Sequence, residues 1–116
     1  MSNYEKMQAV LDHQLCMTKE TWSRLVAHGA KYSAPLALDF FFKSPSIQRA
    51  RELQEFLRQE TDYAVGITAD EDEWTVHGST QPTAVSLPVL EQWVDWMVSA
   101  GFRFDAEFDG WGAEVG

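Results

Sequence analysis

The sequence predicts an α+β fold, a ferredoxin-like βαββαβ sandwich with an added N-terminal helical segment. Three observations predict it. The apolar period changes along the chain from helical to twofold and back; the elements so delimited run strand, helix, strand, strand, helix, strand after the N-terminal segment; and 116 residues with 45% apolar content make up a single domain. A chain of this size buries about two-thirds of its unfolded surface, and five Trp, seven Phe and three Tyr can fill the resulting core. In this topology two helices cover one face of four antiparallel strands, and the first and last strands are neighbours.

At the N-terminus, Tyr4, Met7, Leu11, Leu15, Trp22, Leu25 and Val26 fall close to a helical stripe, and Gly29 suits the position after a helix. Thr18 offers a second N-cap, so the spacing allows one long helix or two in series. From Pro35 the period becomes two: Leu36, Leu38, Phe40 and Phe42 share one face, with Ala37, Asp39 and Phe41 on the other. Ser44-Pro45 supplies a cap and a first-turn proline for a helix using Ile47, Ala50, Leu53, Phe56 and Leu57 and ending near Gln59. Two short strands follow, Tyr63 to Thr68 and Glu73 to Ser79, joined as a hairpin by the acidic loop Ala69-Asp70-Glu71-Asp72. Ser86 caps a helix with Val89, Leu90, Trp93, Val94 and Met97 on its apolar face, which the spacing ends at Gly101. A last strand alternates Phe102, Phe104, Ala106 and Phe108 against Arg103, Asp105 and Glu107. Its position predicts that Asp39, Asp105 and Glu107 approach one another on the sheet face turned away from the two helices.

Charge separates the chain into halves. Residues 1–60 carry eight Lys/Arg against seven Asp/Glu, whereas residues 61–116 carry Arg103 alone against eleven acids, so the net charge of −9 resides in the second half. Such a surface repels phosphate backbones and favours cationic partners, because nucleic-acid affinity comes largely from Lys and Arg neutralising phosphates. Direct nucleic-acid binding is therefore not expected, and a basic protein segment is the partner that fits. Acids spread over a surface also keep a small protein soluble without any partner. The single cysteine, Cys16, makes no internal disulfide, which suits a reducing compartment; no basic start with an apolar run marks a signal peptide, and the apolar stretch from Leu36 to Phe42 is interrupted by Asp39. A cytoplasmic protein with no membrane partner is expected.

Enzyme signatures are absent from the pattern. His13 and Cys16 form an i, i+3 pair, but no second pair has ligand spacing, so no metal is expected. Asp70, Glu71, Asp72 and Glu73 lack the glycine and closing glutamate of a calcium loop. There is no Gly-rich phosphate cradle, no nucleophile elbow and no supported Ser/His/Asp or Cys/His spacing, and no cofactor is expected. Among the tryptophans, Trp22 and Trp93 lie on apolar stripes, Trp96 sits one step off a stripe, and Trp74 opens a strand. Trp111 follows Phe108-Asp109-Gly110, with glycines on both sides that permit a tight turn. That turn either folds Trp111 back to plug the end of the sandwich or presents it as an aromatic anchor beside carboxylates.

The segment Phe108-Asp109-Gly110-Trp111-Gly112 resembles the C-terminal signature of the family of regulator of ribonuclease E activity B (RraB). The likeness extends over the helix ending at Gly29, the strand Leu36 to Phe42, the Ser44-Pro45 helix start and the element order, roughly residues 18–115. It divides the chain into an N-terminal helical extension, 1–17, and a single RraB-like domain, 18–116. The N-terminal seventeen residues match no family feature, and an acidic stretch near the N-terminus is absent, acids lying instead in the hairpin loop and C-terminal strand. The resemblance implies an inhibitor that binds ribonuclease E and modulates RNA cleavage without catalysis of its own. The residues expected to meet the partner are Asp70, Asp72, Asp105, Glu107, Asp109, Gly110 and Trp111. An immunity-like protein neutralising a basic nuclease toxin, and a small-molecule sensor using the same sheet, are the competing readings.

Overall fold

The computed structural model of the chain describes residues 2–30 and 35–114, and over them the N-terminal periodicity becomes one unbroken helix, α1 (Asn3–Ala27). Ser2, not Thr18, is its cap, accepting the amide of Glu5 at 3.2 Å. Thr18 is instead fully buried within the helix. The C-terminus closes as a Schellman motif: Gly29 takes φ +109°, its amide reaches Val26 O at 3.1 Å, and that of Ala30 reaches Leu25 O at 2.8 Å. Tyr4 and Val26, counted in the stripe, face solvent.

The remaining elements are β1 (Pro35–Leu36), β2 (Leu38–Ser44), α2 (Ile47–Glu60), β3 (Ala64–Asp70), β4 (Glu73–Ser79), β5 (Thr83–Ala84), α3 (Leu87–Arg103) and β6 (Glu107–Ala113). The main sheet has the order β3-β4-β2-β6, every neighbouring pair antiparallel, and is the ferredoxin-like arrangement with first and last long strands adjacent. The two-residue strands β1 and β5 pair separately, a small addition that the alternation does not signal. Helices α2 and α3 cover one face; α1 packs along α3 and β6.

Four local expectations change. The last strand, expected from Phe102, begins at Glu107 because Phe102 and Arg103 belong to α3. Ser46, not Ser44, caps α2 through the Arg49 amide (3.3 Å), while Ser44 ends β2 fully buried and donates its hydroxyl to Ser46 O at 2.9 Å. The hairpin strands extend further than the acidic loop suggests: Ala69 pairs with Trp74 and Asp70 with Glu73, leaving only Glu71 and Asp72 in the turn, with Glu71 at φ +45°. Helix α3 does not stop at Gly101. It continues to Arg103, where Asp105 at φ +57° takes the left-handed position and the amide of Ala106 bonds Gly101 O at 2.9 Å. Gly101 is there for proximity: a Cβ would lie 2.7 Å from Ala106 O and 3.0 Å from the Phe42 ring. Val89, also assigned to the apolar stripe, is exposed.

The main core lies between the sheet and helices α2 and α3, built on Phe40, Phe42, Leu53, Leu57, Val76, Val94, Met97, Val98 and Phe108. Phe42 and Phe108 meet edge to face at 5.3 Å between centroids. A second cluster, Leu25, Leu36, Leu38, Val85 and Leu90, closes the end near the small sheet, and Trp93 and Trp111 pack against both clusters.

Candidate functional site

The alternation of β2 sorts its side chains by face: Leu38, Phe40, Phe42 and Ser44 are buried beneath the helices, while Asp39 and Phe41 are exposed and Lys43 is half-buried on the other side. Helices α2 and α3 leave that second face open, and α1 borders it at the β6 edge, where its residues share a groove with Phe41. On β4 the residues opposite them are Ser79, His77 and Thr75; on β6 they are Gly112, Gly110 and Glu107. Cross-strand bonds tie the polar residues together. Ser79 donates its hydroxyl to Asp39 Oδ1 at 2.6 Å, His77 Nε2 and Thr68 Oγ1 are hydrogen-bonded at 2.9 Å, and Lys43 Nζ donates to both Thr75 Oγ1 and Asp70 Oδ2 at 3.0 Å.

Phe41 is the large apolar side chain of this face and is 43% exposed. Its neighbours across β6 are glycines, so no side chain from that strand covers the ring. The open face is therefore a polar lattice with one bare aromatic in it.

The electrostatics of the face centre on Lys43. Its ammonium is pushed above the ordinary lysine range, first by the hydrogen bond with Asp70, with Asp70, Asp109 and Glu73 adding attraction against an opposing loss of hydration. Three carboxylates thus act on one lysine, and a fourth acid, Glu107, is its backbone partner in the β2–β6 register. The face carries a surplus of negative charge even with Lys43 protonated.

Both edges of the sheet are held by helix side chains. On β6, Gln14 of α1 donates to Phe108 O at 3.2 Å; on β3, Gln54 and Arg58 of α2 both donate to Val65 O at 3.0 Å. These contacts occupy carbonyls that an added strand would use. Docking on the face is left more accessible than pairing at an edge.

The residues expected to bind the partner are distributed as follows. Asp70 and Asp109 act on Lys43 on the open face, Glu107 is level with Lys43 on β6, and Asp72 is exposed in the hairpin turn. Asp105 lies elsewhere. It sits in the turn between α3 and β6 and accepts the Arg49 Nε of α2 at 3.0 Å, on the helical side. The expected meeting of all three acids, Asp39, Asp105 and Glu107, therefore does not occur: Asp105 and Glu107 border one groove beside α1, but Asp39 is level with Gly112 and Glu107 with Lys43, toward opposite ends of the β2–β6 pairing.

The turn expected after the last strand is inside it. Asp109 is the extra residue of a β-bulge between the pairs Phe41–Gly110 and Phe42–Phe108, and Gly110 adopts φ +137°. This extra residue lets Phe108 and Trp111, three apart in sequence, both point toward the helices. Trp111 is half-buried, meets Trp93 edge to face at 6.1 Å, and donates its Nε1 proton to Thr18 Oγ1 of α1 at 3.0 Å. It anchors α1 to the sheet, while Asp109 and Gly110 of the same bulge face the open side.

Phe41 and Lys43 were not singled out from sequence. The available signal is the run Phe40-Phe41-Phe42: in a strand with one covered face, the middle residue must point outward.

Two further features lie outside the sheet face. A cavity of about 270 Å³ at the end of the sandwich is lined by Leu38, Tyr63, Pro82, Val85, Leu90 and Trp93. At its wall, Trp93 Nε1 donates to the Tyr63 hydroxyl at 3.0 Å, and burial pushes the Tyr63 phenol up. On the helical side, Trp96 stacks on Phe56 at 5.9 Å, and the Arg103 guanidinium lies 4.7 Å above the Phe56 ring. Among the described residues no three His, Cys, Asp or Glu side chains group as a metal site, and no helix is long and apolar enough to cross a membrane.

Comparison with known families gives one result: the family model RraB, described as regulator of ribonuclease activity B, matches residues 16–113. The match begins inside α1 and ends with β6, so it spans every strand and both sheet-covering helices. A comparison with curated proteins finds no match.

Proposed function

Because the chain belongs to the RraB family of regulators of ribonuclease activity, we propose that it is a non-enzymatic inhibitor that binds ribonuclease E through a basic segment and so modulates RNA cleavage. The observation that carries this reading is the sheet face left open by α2 and α3, with Asp70, Glu73 and Asp109 acting on Lys43 and Glu107 level with it on β6. A protein that regulates by occupancy needs an accessible surface of defined charge and rigid geometry, and a sheet pinned at both edges supplies one. Asp72 extends the negative rim at the hairpin tip. Trp111 and Gly110 hold the bulge that sets Asp109 on the face, so their part is to position the surface. Asp105, paired with Arg49, belongs to a second rim on the helical side. The protein is expected to act in the cytoplasm, where such a partner would be met.

The test is association of the purified chain with ribonuclease E fragments that contain arginine-rich segments, at several ionic strengths, alongside RNA cleavage by the enzyme. Binding is expected to weaken as salt shortens the Debye length toward about 8 Å near physiological strength. The combined change Asp70→Asn, Glu107→Gln and Asp109→Asn should slow association with the fold intact by circular dichroism. No binding by the unmodified chain removes the partner; binding indifferent to salt and to the triple change removes the electrostatic mechanism.

A further inference from the structure

We propose that Phe41, Asp39 and Asp109 form a receptor for a single arginine side chain, its guanidinium lying flat on the Phe41 ring above the bare backbone of Gly110 and Gly112. The inference rests on the reading above that the partner segment is basic, and it names the side chain and the place that recognises it.

Four observations converge. First, the Phe41 ring is 43% exposed at the middle of a rigid sheet, where an unsupported aromatic surface is costly to hydrate. Second, the strand beside it presents glycines opposite Phe41 and Asp39. A Cβ at Gly112 would meet nothing within 4 Å, and one at Gly110 only Gln14 Oε1, at 4.0 Å. The space next to the ring is therefore open, a lane of backbone along which a flat group can slide in. Third, carboxylates stand at the lane. Asp39 is two residues from Phe41 on the same face, about 7 Å along the strand, and has one oxygen taken by Ser79 and the other free of protein bonds among the described residues. Asp109, at the bulge, is exposed and has no hydrogen-bond partner among the described residues. Fourth, the groove at this place runs between the sheet and α1, about 290 Å³, floored by Phe41, Gly110 and Trp111 with Met17 on its helix wall. Arg24 is also on that wall, donating to Thr21 Oγ1 at 3.4 Å on its own helix; Asp109 lines the groove from the sheet side and Asp39 lies beyond its end on β2, which fixes where a cation would settle.

Arginine fits this arrangement better than lysine. A guanidinium is planar, weakly hydrated and able to stack on a ring while its N–H groups point sideways to carboxylates in the ring's plane of approach. A lysine ammonium can reach a carboxylate but gains less from the ring and loses more hydration. The neighbouring Lys43 does not compete, because Asp70 and Thr75 already hold it.

The test uses the full chain and three peptides of equal length in a Gly/Ser background, one bearing arginines, one the same number of lysines, one glutamates. Affinity is measured for each, with amide and Phe41 ring-proton shifts recorded by NMR. The arginine peptide should bind roughly three- to tenfold more tightly than the lysine peptide, with shifts centred on Phe41, Gly110 and Gly112. Phe41→Val should abolish the arginine preference, and so should Gly112→Val, which fills the lane at a site free of clashes; if one variant fails to fold, the other carries the test. Equal binding of arginine and lysine peptides, a preference that survives both substitutions, shifts centred on the Phe56–Arg103 surface, or tighter binding of the glutamate peptide at Phe41 would each overturn the receptor. Ribonuclease E fragments separate the two readings: fragments that bind without regard to Phe41→Val leave the inhibitor reading standing and remove the receptor, whereas arginine-peptide binding at Phe41 with no fragment binding does the reverse.

Discussion

The two faces of the central sheet are made from the same strands and do opposite things. On β2, Phe40 and Phe42 are fully buried, whereas Phe41 between them is 43% exposed. The covered face is continuous hydrocarbon, packed edge to face from Phe40 through Phe42 to Phe108. The open face is a lattice of hydroxyls, an imidazole and carboxylates, bonded across strands so that few polar groups are left unpartnered. The difference teaches that the period of a strand, one residue in two, divides stability from recognition along a single stretch of chain. Substitutions on the first face should be read in unfolding free energy and those on the second in association.

The largest expected effect is on the covered face. Phe42→Ala removes a fully buried ring and should cost about 3–5 kcal/mol, as large aromatic truncations in cores do, against a total stability on the order of 5–15 kcal/mol for a domain. Phe41→Val should cost less than about 1 kcal/mol, since an exposed site loses little packing and valine suits a strand. Urea midpoints compare the two. Similar losses at both positions would break the division of faces.

Trp111→Ala comes next. Its ring is half-buried, so the loss should sit near the lower end of the range for tryptophan truncation, about 3 kcal/mol, and it also leaves the buried Thr18 hydroxyl without its donor. Trp111→Phe keeps most of the ring and loses the bond, so about 1 kcal/mol is expected. If the alanine variant kept its denaturation midpoint, α1 would not be anchored through this residue.

Glycines give a matched pair. Gly78 faces the helices, and a Cβ there would collide with Ala64 O and lie 2.8 Å from the Phe40 ring; Gly112 faces the open side, with nothing within 4 Å. Gly78→Ala should destabilise by about 1–3 kcal/mol or more through overpacking, and Gly112→Ala should leave thermal unfolding within about 0.5 kcal/mol of the original. A tolerated alanine at 78 would show that β3 and β4 can part without cost.

Much of this architecture is legible in the sequence because hydrophobic period and caps are local signals. Leu38, Phe40 and Phe42 announce a half-covered strand, although Leu36, read as part of it, falls in the separate β1; Ser86 announces α3, and Gly29 announces the end of α1. What misleads is a local signal with two uses. Gly101 reads as a helix stop, but its lack of a Cβ serves close packing while Asp105 supplies the left-handed turn. Asp109-Gly110 reads as a turn, but its backbone freedom serves a bulge within β6. Thr18 reads as a cap because its long-range partner, Trp111, is invisible at short range. Of the site, the acids are legible as composition; their placement is not, since Asp105 ends in a turn paired with Arg49 of α2 while Glu107, two residues on, enters β6 level with Lys43.

The smallest expected effect concerns Lys43 of the open face. The hydrogen bond to Asp70 raises the Lys43 pKa above its ordinary 10.5, so the protonated form is favoured in the folded state. The associated stability is complete below the unfolded pKa and is lost as pH rises through the folded one, a window that opens above about pH 10. Tyr63, raised above its ordinary 10.0 by burial, declines in the same window, so alkaline unfolding of the unmodified chain sums both. Lys43→Met isolates the lysine: its unfolding profile should differ from the original by a constant amount up to about pH 10 and converge toward it above. The same variant sharpens the contrast between faces, because removing the cation leaves Asp70, Glu73, Glu107 and Asp109 unopposed. Association with a basic segment should then become faster at low salt, the reverse of Asp109→Asn, while the covered face is untouched. A slower association for Lys43→Met would mean that the lysine itself meets the partner and that the open face recognises something other than positive charge.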